Sequence, residues 1–147
     1  MRRAATFALA LIFASTAVTA CSGSSGSGGS LGSVTAAAAA PAKGATLDAT
    51  AFAAALKRPG TVVLDVRTAA EFADGHLPAA MNIDVNAADF STKVGALDKN
   101  VPYAVYCRSG NRSATALRIM EGLGFSQAYH LGGGIGAWTA AGGPTTK

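Results

Sequence analysis

Cysteine is scarce in this chain of 147 residues: only Cys21 and Cys107 are present, and no Cys-x-x-Cys pair occurs. The two histidines, His76 and His130, stand at no metal-ligand spacing, so the sequence indicates no metal site. Charge is also thin, at 14% of residues, with a net value of +4. Arg2 and Arg3 belong to a segment expected to be removed, which leaves ten basic residues against eight acidic ones. That balance is too small to imply a nucleic-acid partner. Heptads, membrane-spanning runs and repeats of 20 to 50 residues are missing, so coiled coils, integral membrane bundles and solenoids are excluded. The apolar fraction reaches 50%, yet much of it is alanine and much lies near the N-terminus.

That N-terminus is composed unlike the rest. Met1-Arg2-Arg3 followed by the apolar stretch Ala4 to Ala20 has the charged and apolar regions of a secretory signal peptide, over residues 1–20. It is short for a spanning helix. The Phe-Leu that usually follows a twin-arginine pair is not in place, so the general export route is expected. Val18-Thr19-Ala20-Cys21 resembles a bacterial lipobox, which implies acylation of Cys21, a lipid anchor in a membrane and an extracytoplasmic position in the cell envelope. Residues 21–44 then read as a tether: Cys21 to Ser33 is almost all Ser and Gly, and Ala36 to Pro41 follows. As a flexible coil, Cys21 to Gly44 would span about 25 to 30 Å. The remaining segment, residues 45–143, is about the size of one domain.

In that segment, short apolar runs alternate with helical patterns. Asp48 is placed to cap a helix over Ala49 to Leu56, whose Phe52, Ala55 and Leu56 share a face, and Arg58-Pro59-Gly60 stops it. Thr61 to Val66 reads as a strand buried on both faces. Further strands are expected at Ala80 to Val85, Pro102 to Tyr106 and Gln127 to Leu131. Helices are expected at Thr68 to Phe72, Asp89 to Leu97, Arg112 to Leu123 and around Ile135 to Ala141. This alternation predicts an α/β fold with a mainly parallel sheet covered on both faces, and ligands at the carboxyl ends of its strands.

Cys107 stands where one such strand ends and a helix begins, in Cys107-Arg108-Ser109-Gly110-Asn111-Arg112-Ser113. A free thiol is mostly protonated at neutral pH, with a pKa of about 8.5, and backbone amides, a helix N-terminus and nearby cations make it a thiolate. This loop supplies all three. Ser109 and Gly110 are small enough for the chain to curl so that successive amides converge on one point. Arg112, opening the helix, is expected to direct its guanidinium to the same point, and with Arg108 would neutralise an anionic substrate. A buried structural Cys would be a blander role, but Arg-Ser-Gly-Asn-Arg is an unusual sequel to one. A thiol protease would pair Cys107 with a histidine, and two basic neighbours serve an acyl substrate poorly.

Four blocks taken together resemble the signatures of the rhodanese homology domain. They are Leu64-Asp65-Val66-Arg67, Glu71 to Ile83 with its Gly75-His76-Leu77-Pro78, Tyr106 to Ser113, and Gly132-Gly133-Gly134-Ile135-Gly136-Ala137-Trp138, all in the family's order between about Thr46 and Gly142. The resemblance implies a rhodanese-like three-layer fold with a five-stranded, mainly parallel sheet flanked by helices, and Cys107 as the persulfide-forming residue. It also implies that Arg108, Ser109, Gly110, Asn111, Arg112 and Ser113 hold the substrate, and that Asp65 and Arg67 play a structural part beside the site. Between Cys107 and Arg112 lie four residues, where Cys-dependent phosphatases have five. By the same resemblance, the tighter loop fits a terminal sulfur better than a phosphate group.

The function implied is a sulfurtransferase working by double displacement. Sulfane sulfur passes from a small anionic donor such as thiosulfate to Cys107, then to a thiophilic acceptor: cyanide in an assay, a thiol in the cell, with a protein acceptor left open. No cofactor is called for. A non-catalytic sulfur-binding or redox-sensing module tethered at the membrane is the alternative, and measured turnover separates the two. His76 and His130 are expected to be hydrogen-bonded structural residues. The triple glycine is expected to let a backbone pass close to the Cys107 loop, with Trp138 in the core.

Overall fold

The computed structural model describes residues 39–147, so the expected signal peptide, Cys21 and most of the tether lie outside the described residues. In chain order the elements are β1 (Thr46–Leu47), α1 (Ala49–Leu56), β2 (Val62–Asp65), α2 (Ala69–Asp74), β3 (Met81–Asn82), α3 (Phe90–Gly95), β4 (Tyr103–Tyr106), α4 (Asn111–Gly122), β5 (Ala128–Leu131) and α5 (Gly134–Ala140). The strands form one five-stranded sheet in the order β1-β5-β4-β2-β3, and every neighbouring pair is parallel. This is the α/β architecture expected from the alternation of runs.

Local signals account for the element ends. The Asp48 side chain accepts the Ala51 amide at 2.8 Å, so α1 starts where a carboxylate can satisfy an orphan donor. Thr68 and Glu71 form a reciprocal capping box at the start of α2. The strand expected over Ala80 to Val85 keeps ladder geometry only at Met81–Asn82, because it is an edge with one neighbour. Beyond it the chain stays beside β2 through the Ile83 amide on Asp65 O and the Val85 amide on Val66 O. The two-residue β1, at the opposite edge, escaped the sequence pattern altogether.

Two cores lie on the two faces of the sheet. All four residues of β4 are buried, and they alternate between faces: Tyr103 and Val105 join Phe90 and Val94 of α3 and Leu117 and Met120 of α4, while Ala104 and Tyr106 join Phe52 of α1 and Trp138 of α5. Burial on both sides is why this segment reads as unbroken apolar sequence. Cys107 follows the alternation onto the α3 and α4 side, under the start of α4. Because β4 lies between β2 and β5, the chain leaving β4 is flanked by the chains leaving those two strands. That adjacency builds the site.

Candidate active site

At the carboxyl end of β4 the chain turns sharply into α4, with Gly110 in the left-handed region at φ 100° as the residue before the helix. A side chain there would be strained, and its Cβ would come within 3.2 Å of the Gly133 amide. The turn wraps the loop around the sulfur: the Gly110 amide donates to Cys107 Sγ at 3.1 Å. Cys107 is fully buried. Burial pushes its thiol up, but the Ser113 hydroxyl and the amides of Ser113, Ser109 and Gly110 pull it down further, and the thiol ends below its ordinary range. Charge on the sulfur is thus favoured by the N–H dipoles of the loop, the Gly110 amide among them.

The loop is held from behind by the segment after β5. Ile135 donates its amide to Cys107 O at 2.8 Å and Gly136 donates to Arg108 O at 3.4 Å, so the loop carbonyls face α5 and leave the amides to the sulfur. The approach is close: a Cβ on Gly134 would lie 2.3 Å from Cys107 O and 2.5 Å from Arg108 C. The triple glycine therefore has the close-passage role expected of it.

Arg112 also has a partner that the sequence did not suggest. Its guanidinium is engaged by Glu71 in a two-point pair, Nη1 to Oε2 and Nη2 to Oε1, both 2.7 Å. This Arg112 pairing holds the Glu71 carboxyl well below the usual carboxylate range, at about 2. Glu71 also accepts the Thr68 amide and hydroxyl, so the capping box of α2 fixes the carboxylate that fixes Arg112. Arg108, Ser109 and Asn111 are exposed at the rim of the loop, and Ser113 is buried beneath it. Asp65 and Arg67 form a buried pair, Nη2 to Oδ2 at 2.6 Å, and Arg67 also donates to Gly75 O at 2.7 Å. Its guanidinium lies 5.5 Å from the centre of the Tyr106 ring.

A model of the rhodanese-like domain matches residues 48–141, about two thirds of the chain and the whole of the sheet except β1. The chain belongs to the rhodanese-like family. Among its relatives, a thiosulfate sulfurtransferase GlpE of Pseudomonas fluorescens (strain SBW25) is 40% identical over 87 residues, covering 58% of this chain and 77% of that one. The protein of the same name from Pseudomonas savastanoi pv. phaseolicola is 40% identical over 89 residues, with 60% and 81% covered. The crystal structure of a rhodanese-related protein from Thermoplasma volcanium superposes with a TM-score of 0.62 at 30% identity, over 69% of this chain and 97% of that one.

Within this rhodanese-like domain, two contacts beside the Cys107 loop were missed by sequence reasoning. The Glu71–Arg112 pair spans 41 positions, although the Thr68-x-x-Glu71 capping signature could have shown that Glu71 is anchored in place. The contact between Ser113 and His130 left no local signal, because it depends on β5 lying beside β4. His76 bonds through Nδ1 to Phe72 O at 2.9 Å and stacks on the Phe72 ring, and Trp138 is buried edge-on against Phe52.

Proposed function

We propose that this chain is a sulfurtransferase that carries sulfane sulfur as a persulfide on Cys107, with thiosulfate or a similar anion as donor. The observation that carries this is the amide-lined loop closing on a single buried thiol, in a domain whose relatives include proteins named thiosulfate sulfurtransferase. The Cys107 thiolate attacks the outer sulfur of the donor. The donor's S–S bond breaks, its electron pair leaves with sulfite, and a new S–S bond joins that sulfur to Cys107. The terminal sulfur then holds the negative charge, which the same loop amides stabilise. An acceptor such as cyanide or a thiol attacks that terminal sulfur and restores the thiolate. No general base is needed, since sulfite and thiolates are competent leaving groups. Arg108 stands exposed at the rim as the cation a donor meets, while the charge of Arg112 is already answered by Glu71.

Mass spectrometry after thiosulfate treatment should find one added sulfur on Cys107, and steady-state thiocyanate formation from thiosulfate and cyanide should vanish in Cys107→Ser. Absence of the adduct with thiosulfate, thiosulfonates and polysulfide alike would defeat the proposal. Uptake of one sulfur without turnover would instead make this a sulfur-binding or redox-sensing module.

We further propose that the domain is displayed outside the cytoplasm on a lipid carried by Cys21. The basic start, the apolar stretch to Ala20 and the Val18-Thr19-Ala20-Cys21 sequence support this. The parent should enter the detergent phase in a phase-separation assay and Cys21→Ala should not; equal partitioning of the two would end the anchoring idea.

A further inference from the structure

The two cations of the Cys107 loop are not alike. Arg108 is exposed and, among the described residues, meets no carboxylate. Arg112, in the first turn of α4, has both terminal nitrogens occupied by Glu71, one on each carboxylate oxygen, at 2.7 Å. Glu71 is itself fixed, because its Oε2 also takes the Thr68 amide at 3.2 Å and the Thr68 hydroxyl at 3.1 Å. The side chains are only 26% and 29% exposed. A two-point pair shielded and anchored in this way is not a mobile surface pair, so its opposite charges cancel at close range.

The pair stands beside the loop that carries the sulfur. The Val66 amide donates to Tyr106 O at 3.0 Å, so the chain leaving β2 runs along the chain that enters Cys107. From there α2 begins at Ala69 with Glu71 in its first turn, and α4 begins at Asn111, directly after the Gly110 whose amide binds Sγ. Glu71 and Arg112 therefore bridge the first turns of two helices at the carboxyl end of the sheet. Asp84 adds a negative charge at the same end, between Ile83 and Val85, whose amides bind Asp65 O and Val66 O. The Asp65–Arg67 pair is closed on itself.

Sulfur transfer sets two negative groups against each other, the thiolate and the donor, so each donor charge that no cation answers raises the barrier. Arg108 answers one. Thiosulfate carries two, whereas a thiosulfonate or a small persulfide carries one. We propose that Glu71, by holding Arg112, is a positioning residue that sets the donor class of this site: singly charged sulfane-sulfur donors in preference to the dianion thiosulfate. With a thiosulfonate, the Cys107 thiolate attacks the outer sulfur, the donor's S–S bond breaks and its electron pair leaves with the sulfinate. Cys107 is left as the persulfide anion. The Glu71 carboxyl, held at about 2, stays ionised across the neutral range, and Arg112 stays occupied with it. This role rests on Cys107 as the sulfur carrier.

The test has two arms, both on the full chain. In the first, Cys107 is alkylated by the anion iodoacetate and by its neutral counterpart iodoacetamide, with peptide mass spectrometry resolving Cys107 from Cys21. The thiolate attacks both reagents, so the ratio of their rates cancels changes in thiol titration or loop packing and reports the charge near the sulfur. Glu71→Gln should raise the iodoacetate-to-iodoacetamide ratio about five-fold, the size of one charge at the edge of a solvated site. Glu71→Asp should keep most of the parent ratio, and Arg112→Gln should lower it by a similar factor. The double variant of Glu71→Gln with Arg112→Gln, which removes both charges, should match the parent. In the second arm, kcat/KM for thiosulfate relative to methanethiosulfonate, where a methyl group replaces one charged oxygen, should be below one in the parent and rise about five-fold in Glu71→Gln. A parent-like ratio for Glu71→Gln in either arm, or a double variant well below the parent, would overturn the proposal. Should Glu71→Gln not fold, Arg112→Gln decides: a parent-like alkylation ratio there would overturn it equally. Turnover of neither donor would overturn sulfur transfer and the donor class with it, whereas unmoved ratios with intact turnover would overturn the role of Glu71 alone.

Discussion

Glu71 meets the charge of Arg112 through two bonds of 2.7 Å, and the same carboxylate caps α2. One residue therefore ties a helix start to the loop cation. Its carboxyl lies at about 2 instead of the ordinary 4.5, so the ionised form is the one the fold favours. A carboxyl depressed on folding adds stability that is fully present above its unfolded value and fades as pH falls through the folded one. The parent should thus lose stability between about pH 4.5 and pH 2 partly through this group. Glu71→Gln should lower stability at neutral pH by about 1 kcal/mol and flatten that acid limb, measured by urea unfolding at several pH values. Parent and variant curves running parallel down to the lowest pH would show that the pair does not matter for stability.

The segment from β5 into α5 is as much part of the site as the Cys107 loop, although it carries no reactive group. Its amides take the carbonyls of Cys107 and Arg108, and only glycine permits the approach. Gly134→Ala sets a Cβ against backbone at 2.3 Å in a left-handed conformation, φ 60°, and that backbone has no flexible end to yield. It should destabilise the domain by at least about 2 kcal/mol and blunt the reactivity of Cys107. Gly60→Ala is the control: φ is 77° but nothing lies within 4 Å. Only the conformational penalty of about 1 kcal/mol should appear, with Cys107 reacting as in the parent. Thermal unfolding and alkylation rates measure both; equal losses for the two variants would contradict the buttressing role. The starts of α1 and α2 were legible because their caps, Asp48 and Thr68, are local. The edge strands were not: β1 has two residues, and β3 shrinks to two, since pairing at an edge depends on a neighbour far away in sequence.

Across the molecule, β4 and its neighbours join two cores that share no helix. Leu64 of β2 is fully buried on the α3 and α4 side, whereas Trp138, the chain's single tryptophan, lies on the α1 and α5 side. If the sheet couples the faces, Trp138 fluorescence and far-ultraviolet circular dichroism should trace one urea transition. Leu64→Ala should then shift both probes together by about 3 kcal/mol, although Leu64 is on the face opposite Trp138. A tryptophan transition left in place while the other moves would mean that the faces unfold separately.

Sequence alone determined the α/β class, the bounds of most helices and the buried central strands, and it singled out the thiol proposed to react. Each of these is written in neighbouring residues: apolar period, capping side chains, and a cysteine followed at once by Arg-Ser-Gly-Asn-Arg. Family membership was also legible, because four separated blocks keep their order. Tertiary structure decided what those residues face. Strand order sets β5 beside β4 and brings His130 to Ser113, and the fold around α2 and α4 brings Glu71 to Arg112. Those contacts join residues 17 and 41 positions apart, where no local pattern reaches and only the packing of the sheet sets the distance.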